Sequence, residues 1–195
     1  MLAKSVEARP GLRIPGAWDG FEIAVRAVLG QQVSVAAART FAGRLAETYG
    51  EALTGPPAPN LTHLFPSPAA LAEADLSAIG LTRRRAATLR GLSRAFAGGE
   101  VDLDAACGLD DIEARLTAVD GIGRWTAQYI AMRAYGEPDA FPTGDLGLLN
   151  AIKAASENLD ARGLERRAER WRPWRAYAAM HLWAMGPPRT RKAKT

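Results

Sequence analysis

Leu116-Thr-Ala-Val-Asp-Gly-Ile-Gly-Arg-Trp-Thr-Ala127 decides the fold. Leu116 and Val119 close one apolar helix, and Asp120-Gly-Ile-Gly123 cannot continue it. Gly121 and Gly123 give a backbone that reaches positive φ and approaches another surface tightly. Arg124-Trp-Thr-Ala127 then opens a second helix, whose first N–H groups lack partners within the helix and suit an anion. A short glycine hairpin ending in a helix N-terminus is a grip for one DNA phosphate, read without regard to base sequence. The bland alternative is a plain helix–helix connection in which both glycines serve turn geometry alone.

Outward from the hairpin, nearly every periodic segment is helical. Phe21, Val25, Val28 and Leu29 share one face, and Gly30 fits a C-terminal stop. Val33, Ala37, Phe41, Leu45 and Tyr49 recur about every four residues, up to Gly50. Residues 54–60, Thr-Gly-Pro-Pro-Ala-Pro-Asn, form a loop, and Ser67-Pro68 starts a short helix. Thr82 caps a helix with Leu89, Leu92 and Phe96 on one face, ended by Gly98-Gly99. Asp110 with Glu113 predicts a capping box on the first hairpin helix. The second hairpin helix runs to about Tyr135 and stops at Gly136. Asp145 begins another, through Leu149 and Ile152, and the last two cover about 162–170 and 174–185, separated by Pro173. There is no strand alternation and no internal repeat. The expected fold is all-α, with two helical lobes, a cleft between them, and the hairpin and Asp145 facing that cleft from the second lobe.

The composition sets bounds. Of 195 residues, 48% are hydrophobic, enough for a real core. No apolar run approaches the ~20 residues of a membrane span, and residues 1–10 lack the apolar stretch of a signal peptide. The single cysteine, Cys107, excludes an internal disulfide and a four-cysteine iron–sulfur cluster. His63 and His181 have no metal-type spacing. No metal, no cofactor and a cytoplasmic location are expected. The net charge of +4 and pI of about 9.6 permit a polyanionic partner. Four of the positive charges sit in the tail from Arg189 to Lys194, which is expected to be solvated.

Downstream of the hairpin stands Asp145, in Phe-Pro-Thr-Gly-Asp-Leu-Gly-Leu-Leu (141–149). Hairpin plus aspartate resembles the helix-hairpin-helix DNA glycosylases. From Arg9 to Gly186 the chain is similar to their alkylation-repair branch, the AlkA-type DNA-3-methyladenine glycosylases. Four stretches carry this: Pro-Gly-Leu-Arg-Ile-Pro-Gly (10–16), Ala-Val-Leu-Gly-Gln-Gln-Val-Ser-Val (27–35), the hairpin with its Arg-Trp-Thr-Ala, and Ala-Glu-Arg-Trp-Arg-Pro-Trp-Arg-Ala-Tyr-Ala (168–178). The resemblance implies an N-terminal extension (1–8), a glycosylase domain of two interleaved helical lobes (9–186) and a basic tail (187–195). Longer family members carry a further α/β domain before the segment matching Arg9, so a compact member or a fragment is expected.

Asp145 matches the family's essential aspartate. By position it is also a helix N-cap, and the two roles can coexist. Cleaving an N-glycosidic bond builds positive charge on the sugar, which an ionised carboxylate near C1′ stabilises while orienting water. Trp125 stands where bifunctional members have a lysine nucleophile. Tryptophan forms no Schiff base, so the resemblance implies a monofunctional enzyme that leaves an abasic site. Trp125, Tyr129 and Trp183 match aromatic pocket positions, although helical tryptophans are usually core. A base methylated at N3 or N7 is cationic, and an aromatic face attracts a cation by ~0.5–2 kcal/mol.

The residue that fills the gap left by a flipped base falls at Gln31 or Gln32, with Gln32 preferred; otherwise it is a polar loop residue. Gly121, Gly123, Arg124 and Thr126 are the expected hairpin contacts to DNA. Trp171 and Trp174 are assigned to packing, Arg83, Arg84 and Arg85 to a solvated face, His181 to the core, and Cys107 to an unreactive site. The expected function is release of alkylated purines, of the 3-methyladenine and 7-methylguanine type, from damaged double-stranded DNA by a monomer. The alternatives are a glycosylase for deaminated or oxidised bases and a non-catalytic helix-hairpin-helix module.

Overall fold

The structure, a computed structural model, describes residues 2–55, 61–102, 108–155 and 158–185. Part of the expected loop (residues 56–60), Cys107 and the basic tail lie outside the described residues. The helices are α1 (Leu2–Ala8), α2 (Gly20–Leu29), α3 (Val35–Tyr49), α4 (Pro68–Ala72), α5 (Arg83–Ala97), α6 (Leu109–Thr117), α7 (Arg124–Ile130), α8 (Leu146–Ala154), α9 (Ala161–Ala168) and α10 (Arg175–Met185). A 3-10 turn, Leu76–Ile79, precedes α5, a π-helical turn, Ala131–Tyr135, extends α7, and a second 3-10 turn, Glu169–Trp171, follows α9. Among the described residues the only strand-like pairing is one bridge, Ala52 to His63. No described helix is long and apolar enough to cross a membrane.

Local chemistry sets most helix starts. Asp19, Ser34, Thr82, Asp145 and Asp160 sit in extended conformation and accept from first-turn N–H groups of α2, α3, α5, α8 and α9. The expected capping box on α6 does not form. That helix follows Gly108, which makes no side-chain cap bond, so Asp110 lies inside the first turn. The Glu113 carboxylate instead turns to Arg124, at 3.0 Å, and to Gln128. Val33 also falls short of its helix, because Ser34 supplies the cap.

Two cores divide the molecule. The larger buries Val25, Val28 and Leu29 of α2, Leu89 and Leu92 of α5, Leu116 of α6 and Ile130. Ile122, at the centre of the hairpin, belongs to this core and is 5% exposed. Burying such a side chain is worth about 1.5–3 kcal/mol, which anchors the hairpin from below. The smaller core gathers Phe141, Leu148, Ile152, Leu164 and Leu182. The sequence expectation that the hairpin and Asp145 share a lobe is therefore corrected: the hairpin stands on the larger core, and Asp145 caps a helix of the smaller one.

The segment before Arg9 folds as α1 and lies against α10, with Leu2 packed on the smaller core. Ser5 Oγ and Nδ1 of the buried His181 are hydrogen-bonded at 3.1 Å, joining the two helices. Trp171 packs as expected, its ring edge-on to Phe141. Trp174 does not: it is exposed and touches only the edge of Tyr177 among aromatic rings.

Candidate active site

The hairpin is built by two glycines with different jobs. Gly121 has φ +89°, and an added Cβ would stand 2.0 Å from Thr88 Oγ1 on α5. It needs glycine both for its left-handed conformation and for the close approach. Gly123 has φ −90° and is the N-cap of α7, with no side-chain cap bond. A Cβ there would meet nothing within 4 Å. Nothing inside the described fold requires glycine at 123, and the first N–H groups of α7 have no partner within their own helix.

The Arg124 side chain is half-exposed but already paired, and that of Thr126 faces inward. Arg124 reaches Glu113 at 3.0 Å and Glu165 at 2.5 Å. The hydrogen bond to Glu165 raises its already high pKa, with partial burial opposing and the Glu113 charge assisting. Arg124 thus ties α7 to α6 and α9. The buried Thr126 accepts a hydrogen bond on Oγ1 from Gln31 Nε2 at 3.0 Å. Thr126 is thus turned away from an outside partner, while Gly121, Gly123 and the exposed, carboxylate-paired Arg124 lie at the surface.

The loop after α2 separates its two glutamines. Gln31 donates to the Gly121 carbonyl, at 3.1 Å, and to Thr126. Its own carbonyl accepts from Arg85 at 2.6 Å. Arg85 is therefore a prop for this loop and not part of a solvated face. Gln32 has φ +53°, the one non-glycine residue with positive φ among the described residues, and its side chain is exposed.

Asp145 is the point where the two cores meet. Its Oδ1 accepts from the Leu148 N–H at 2.9 Å, the N-cap bond of α8, and from Trp183 Nε1 at 2.8 Å. Its Oδ2 accepts from Trp125 Nε1 at 3.2 Å. All three partners donate, the pattern that suits an ionised carboxylate. Trp183 packs against both cores, so it carries the contact across the seam.

Trp125 and Tyr129, four residues apart on α7, are stacked with centroids 5.5 Å apart and planes 12° apart. A flat ligand cannot enter between them and has only their outer faces. The Arg133 guanidinium lies 5.6 Å from the Tyr129 ring centroid and donates to the Tyr129 hydroxyl at 3.0 Å. Arg133 also donates to the Pro15 carbonyl at 2.6 Å. Tyr129 already carries a fixed cation, so the aromatic face left for a cationic ligand is Trp125.

A cleft of about 1020 Å³ runs between the cores, with Gln32, Arg84, Gly123, Trp125, Asp145 and Leu146 among its walls. It brings together the hairpin, the Gln32 loop and the aspartate. Leu146 was missed in the sequence. It is 75% exposed although apolar, directly after Asp145. Its exposure follows from the fold, where Leu148, and not Leu146, lies on the core face of α8. Among the described residues no group of three or more His, Cys, Asp or Glu is placed to hold a metal ion.

A glycine hairpin on one helical core, facing an aspartate-capped helix of a second core across a cleft, defines a helix-hairpin-helix protein of the DNA-repair type. The chain belongs to the HhH-GPD superfamily of base excision DNA repair proteins, whose family model matches residues 25–176. It is 46% identical over 182 residues to the probable bifunctional transcriptional activator/DNA repair enzyme AlkA of Mycobacterium tuberculosis strain H37Rv, a match covering 93% of this chain and 36% of that one. It is 41% identical over 185 residues to DNA-3-methyladenine glycosylase 2 of Escherichia coli K12, covering 93% of this chain and 63% of that one. The chain thus spans about one third to two thirds of the length of these relatives. Among solved structures, the 3-methyladenine DNA glycosylase of Archaeoglobus fulgidus matches with a TM-score of 0.77 and 25% identity, over 94% of this chain and 64% of that one. The Schizosaccharomyces pombe 3-methyladenine DNA glycosylase in complex with abasic DNA shares the fold, with a TM-score of 0.75 and 24% identity over 93% and 87% of the two chains.

Proposed function

We propose that this chain is a monofunctional DNA glycosylase that releases alkylated purines, of the 3-methyladenine and 7-methylguanine type, from damaged duplex DNA and leaves an abasic site. The observation that carries the reading is the Asp145 carboxylate, held by two indole N–H groups and one backbone N–H at the wall of the cleft. The names of the relatives, DNA-3-methyladenine glycosylase among them, support the same chemistry.

The hairpin takes a backbone phosphate on the open side of Gly123, and Gln32 enters the gap when the damaged base leaves the stack. The base then lies against Trp125, whose ring face favours a cationic purine by ~0.5–2 kcal/mol. As the C1′–N bond breaks, its electron pair leaves with the base and cancels the base's positive charge. Positive charge grows on the sugar, opposite the Asp145 carboxylate. Water adds at C1′ and gives up a proton, completing hydrolysis. A neutral leaving base needs little acid catalysis. Trp125 has no amine, so no Schiff base forms and the strand stays intact. One chain holds the whole constellation, consistent with action as a monomer.

The test is base release from methylated duplex DNA by the wild type beside Asp145→Asn, with the strands examined before and after alkali. Release by the wild type alone, with breaks appearing only after alkali, is expected. DNA binding without release from any methylated duplex would leave a binding module or a different lesion.

A further inference from the structure

Gly147 lies in the first turn of α8, two residues after the aspartate that caps it. Glycine is unfavourable in a helix compared with alanine. Its φ is not in the left-handed region, unlike that of Gly121 or Gly144. Backbone conformation therefore gives no reason for glycine here. The surroundings do. An added Cβ would stand 2.9 Å from Asp145 Oδ1, 3.1 Å from Trp183 Cδ1 and 3.2 Å from Trp183 Nε1. The three nearest atoms are one oxygen of the carboxylate and two atoms of the pyrrole edge of the indole that donates to it.

Resting on the proposed glycosylase reading, we infer that Gly147 is a positioning residue, whose missing side chain lets the Trp183 indole seat against the first turn of α8 and hold Asp145. Trp183 comes from α10, and its Nε1 reaches Asp145 Oδ1 at 2.8 Å only by lying over this turn. The same oxygen accepts the N-cap bond from Leu148. A methyl group at 147 presses on both the donor and the acceptor. Oδ1 is fixed by the Leu148 cap bond, so the strain falls on the Trp183 indole. The expected response is displacement of Trp183, loss of one of three donors to the carboxylate, and a carboxylate held by the Leu148 and Trp125 N–H groups alone. Small displacements of a reacting group cost large factors in rate, so the effect falls on the chemical step and not on DNA binding.

The experiment uses Gly147→Ala, Trp183→Leu and the double variant in the full chain. Indole N–H resonances are recorded by ¹⁵N–¹H spectroscopy, and that of Trp183 is identified by its loss in Trp183→Leu. Single-turnover base release from methylated duplex DNA is measured alongside duplex affinity. In Gly147→Ala the Trp183 indole resonance is expected to move, excision to slow by at least about tenfold, and affinity to stay within about twofold. In the Trp183→Leu background, Gly147→Ala is expected to add less than about a twofold loss, because its target is gone. Should Gly147→Ala fold poorly, it is expected to cost less melting temperature in the Trp183→Leu background than in the wild type. An unmoved indole resonance, an unchanged rate, or losses that multiply in the double variant would overturn the inference. Failure of the glycosylase reading itself shows separately, as a wild type that releases no base, while the indole resonance still reports whether Gly147 seats Trp183.

Discussion

The indole N–H of Trp125 lies 3.2 Å from Oδ2 of Asp145, twenty residues on. It links the head of the hairpin helix, which stands on the larger core, to the carboxylate that caps a helix of the smaller core. The two oxygens divide their work. Oδ1 serves the cap and Trp183, while Oδ2 has the Trp125 indole as its protein donor. The cap and the proposed role opposite a reacting sugar thus fall to the two oxygens of one side chain.

Asp145→Asn separates those uses. Asparagine caps a helix about as well as aspartate, so Oδ1 can keep Leu148. The amide NH₂ then meets the Trp125 N–H, donor against donor, and the charge is gone. Melting temperature should fall by no more than about 2–4 °C, the equivalent of ~1 kcal/mol for a chain of this size. Excision should fall by ~10²–10³-fold or more, as for removal of a group that stabilises developing charge. Duplex affinity should hold. Full excision by this variant would remove Asp145 from the mechanism.

The parts legible in the sequence were those set by local chemistry. Thr82 and Asp145 act as caps because a cap needs only its own first turn. Gly136 ends the hairpin helix because its φ of +72° is a glycine conformation. What depends on distant partners was not legible. Arg124 reads only as a hairpin contact to DNA until Glu165, forty-one residues on, is brought beside it. The hairpin's lobe is decided by where Ile122 is buried, which spacing does not encode. The seven residues of α1 are too short for periodicity to speak. Gly147 looks like an ordinary glycine until Trp183 is laid across it.

Gln31 and Gln32 should respond in opposite ways. Gln31→Ala removes two hydrogen bonds to the hairpin and should cost about 1–3 kcal/mol at ~0.5–1.5 kcal/mol each. Gln32→Gly relieves a left-handed φ of +53° and should stabilise by about 1–2 kcal/mol. It should nevertheless slow excision from duplex DNA several-fold and leave single-stranded substrate little affected, because only the duplex has a gap to fill. Denaturant melts and rates on both substrates check this. Equal rates for Gln32→Gly and wild type on duplex would return Gln32 to a simple loop role.

The two hairpin glycines separate fold from binding. Gly121→Ala meets Thr88 Oγ1 at 2.0 Å and a φ of +89°. The φ alone costs about 1–2 kcal/mol, so a lowered melting temperature is expected even without DNA. Gly123→Ala has open space and an ordinary φ, and should be neutral or stabilising by up to ~1 kcal/mol. Its methyl group instead stands beside the N–H groups that the proposed function assigns to a phosphate. Duplex affinity should fall, and the dependence of log K on log salt should flatten by about one phosphate contact. Unchanged affinity and salt slope in Gly123→Ala would place the DNA backbone elsewhere.

His181 gives a pH dependence with a definite sign. Burial pushes its pKa below the ordinary 6.5, and the nearby Arg9 cation acts in the same direction. The folded chain therefore binds this proton less readily than the unfolded chain. Between the lowered folded value and about 6.5, the unfolded state carries more protons, so stability rises with pH there. Stability from this group is complete above about 6.5 and is lost as pH falls through the folded value. Because the imidazole is paired with Ser5, the loss bears on the contact between α1 and α10. Melting temperatures of wild type and His181→Gln, taken from pH 7.5 down to 5, isolate the effect, since other titrations cancel in the difference. The wild type should lose more stability across this window than the variant does. Parallel curves would mean that His181 carries no such linkage.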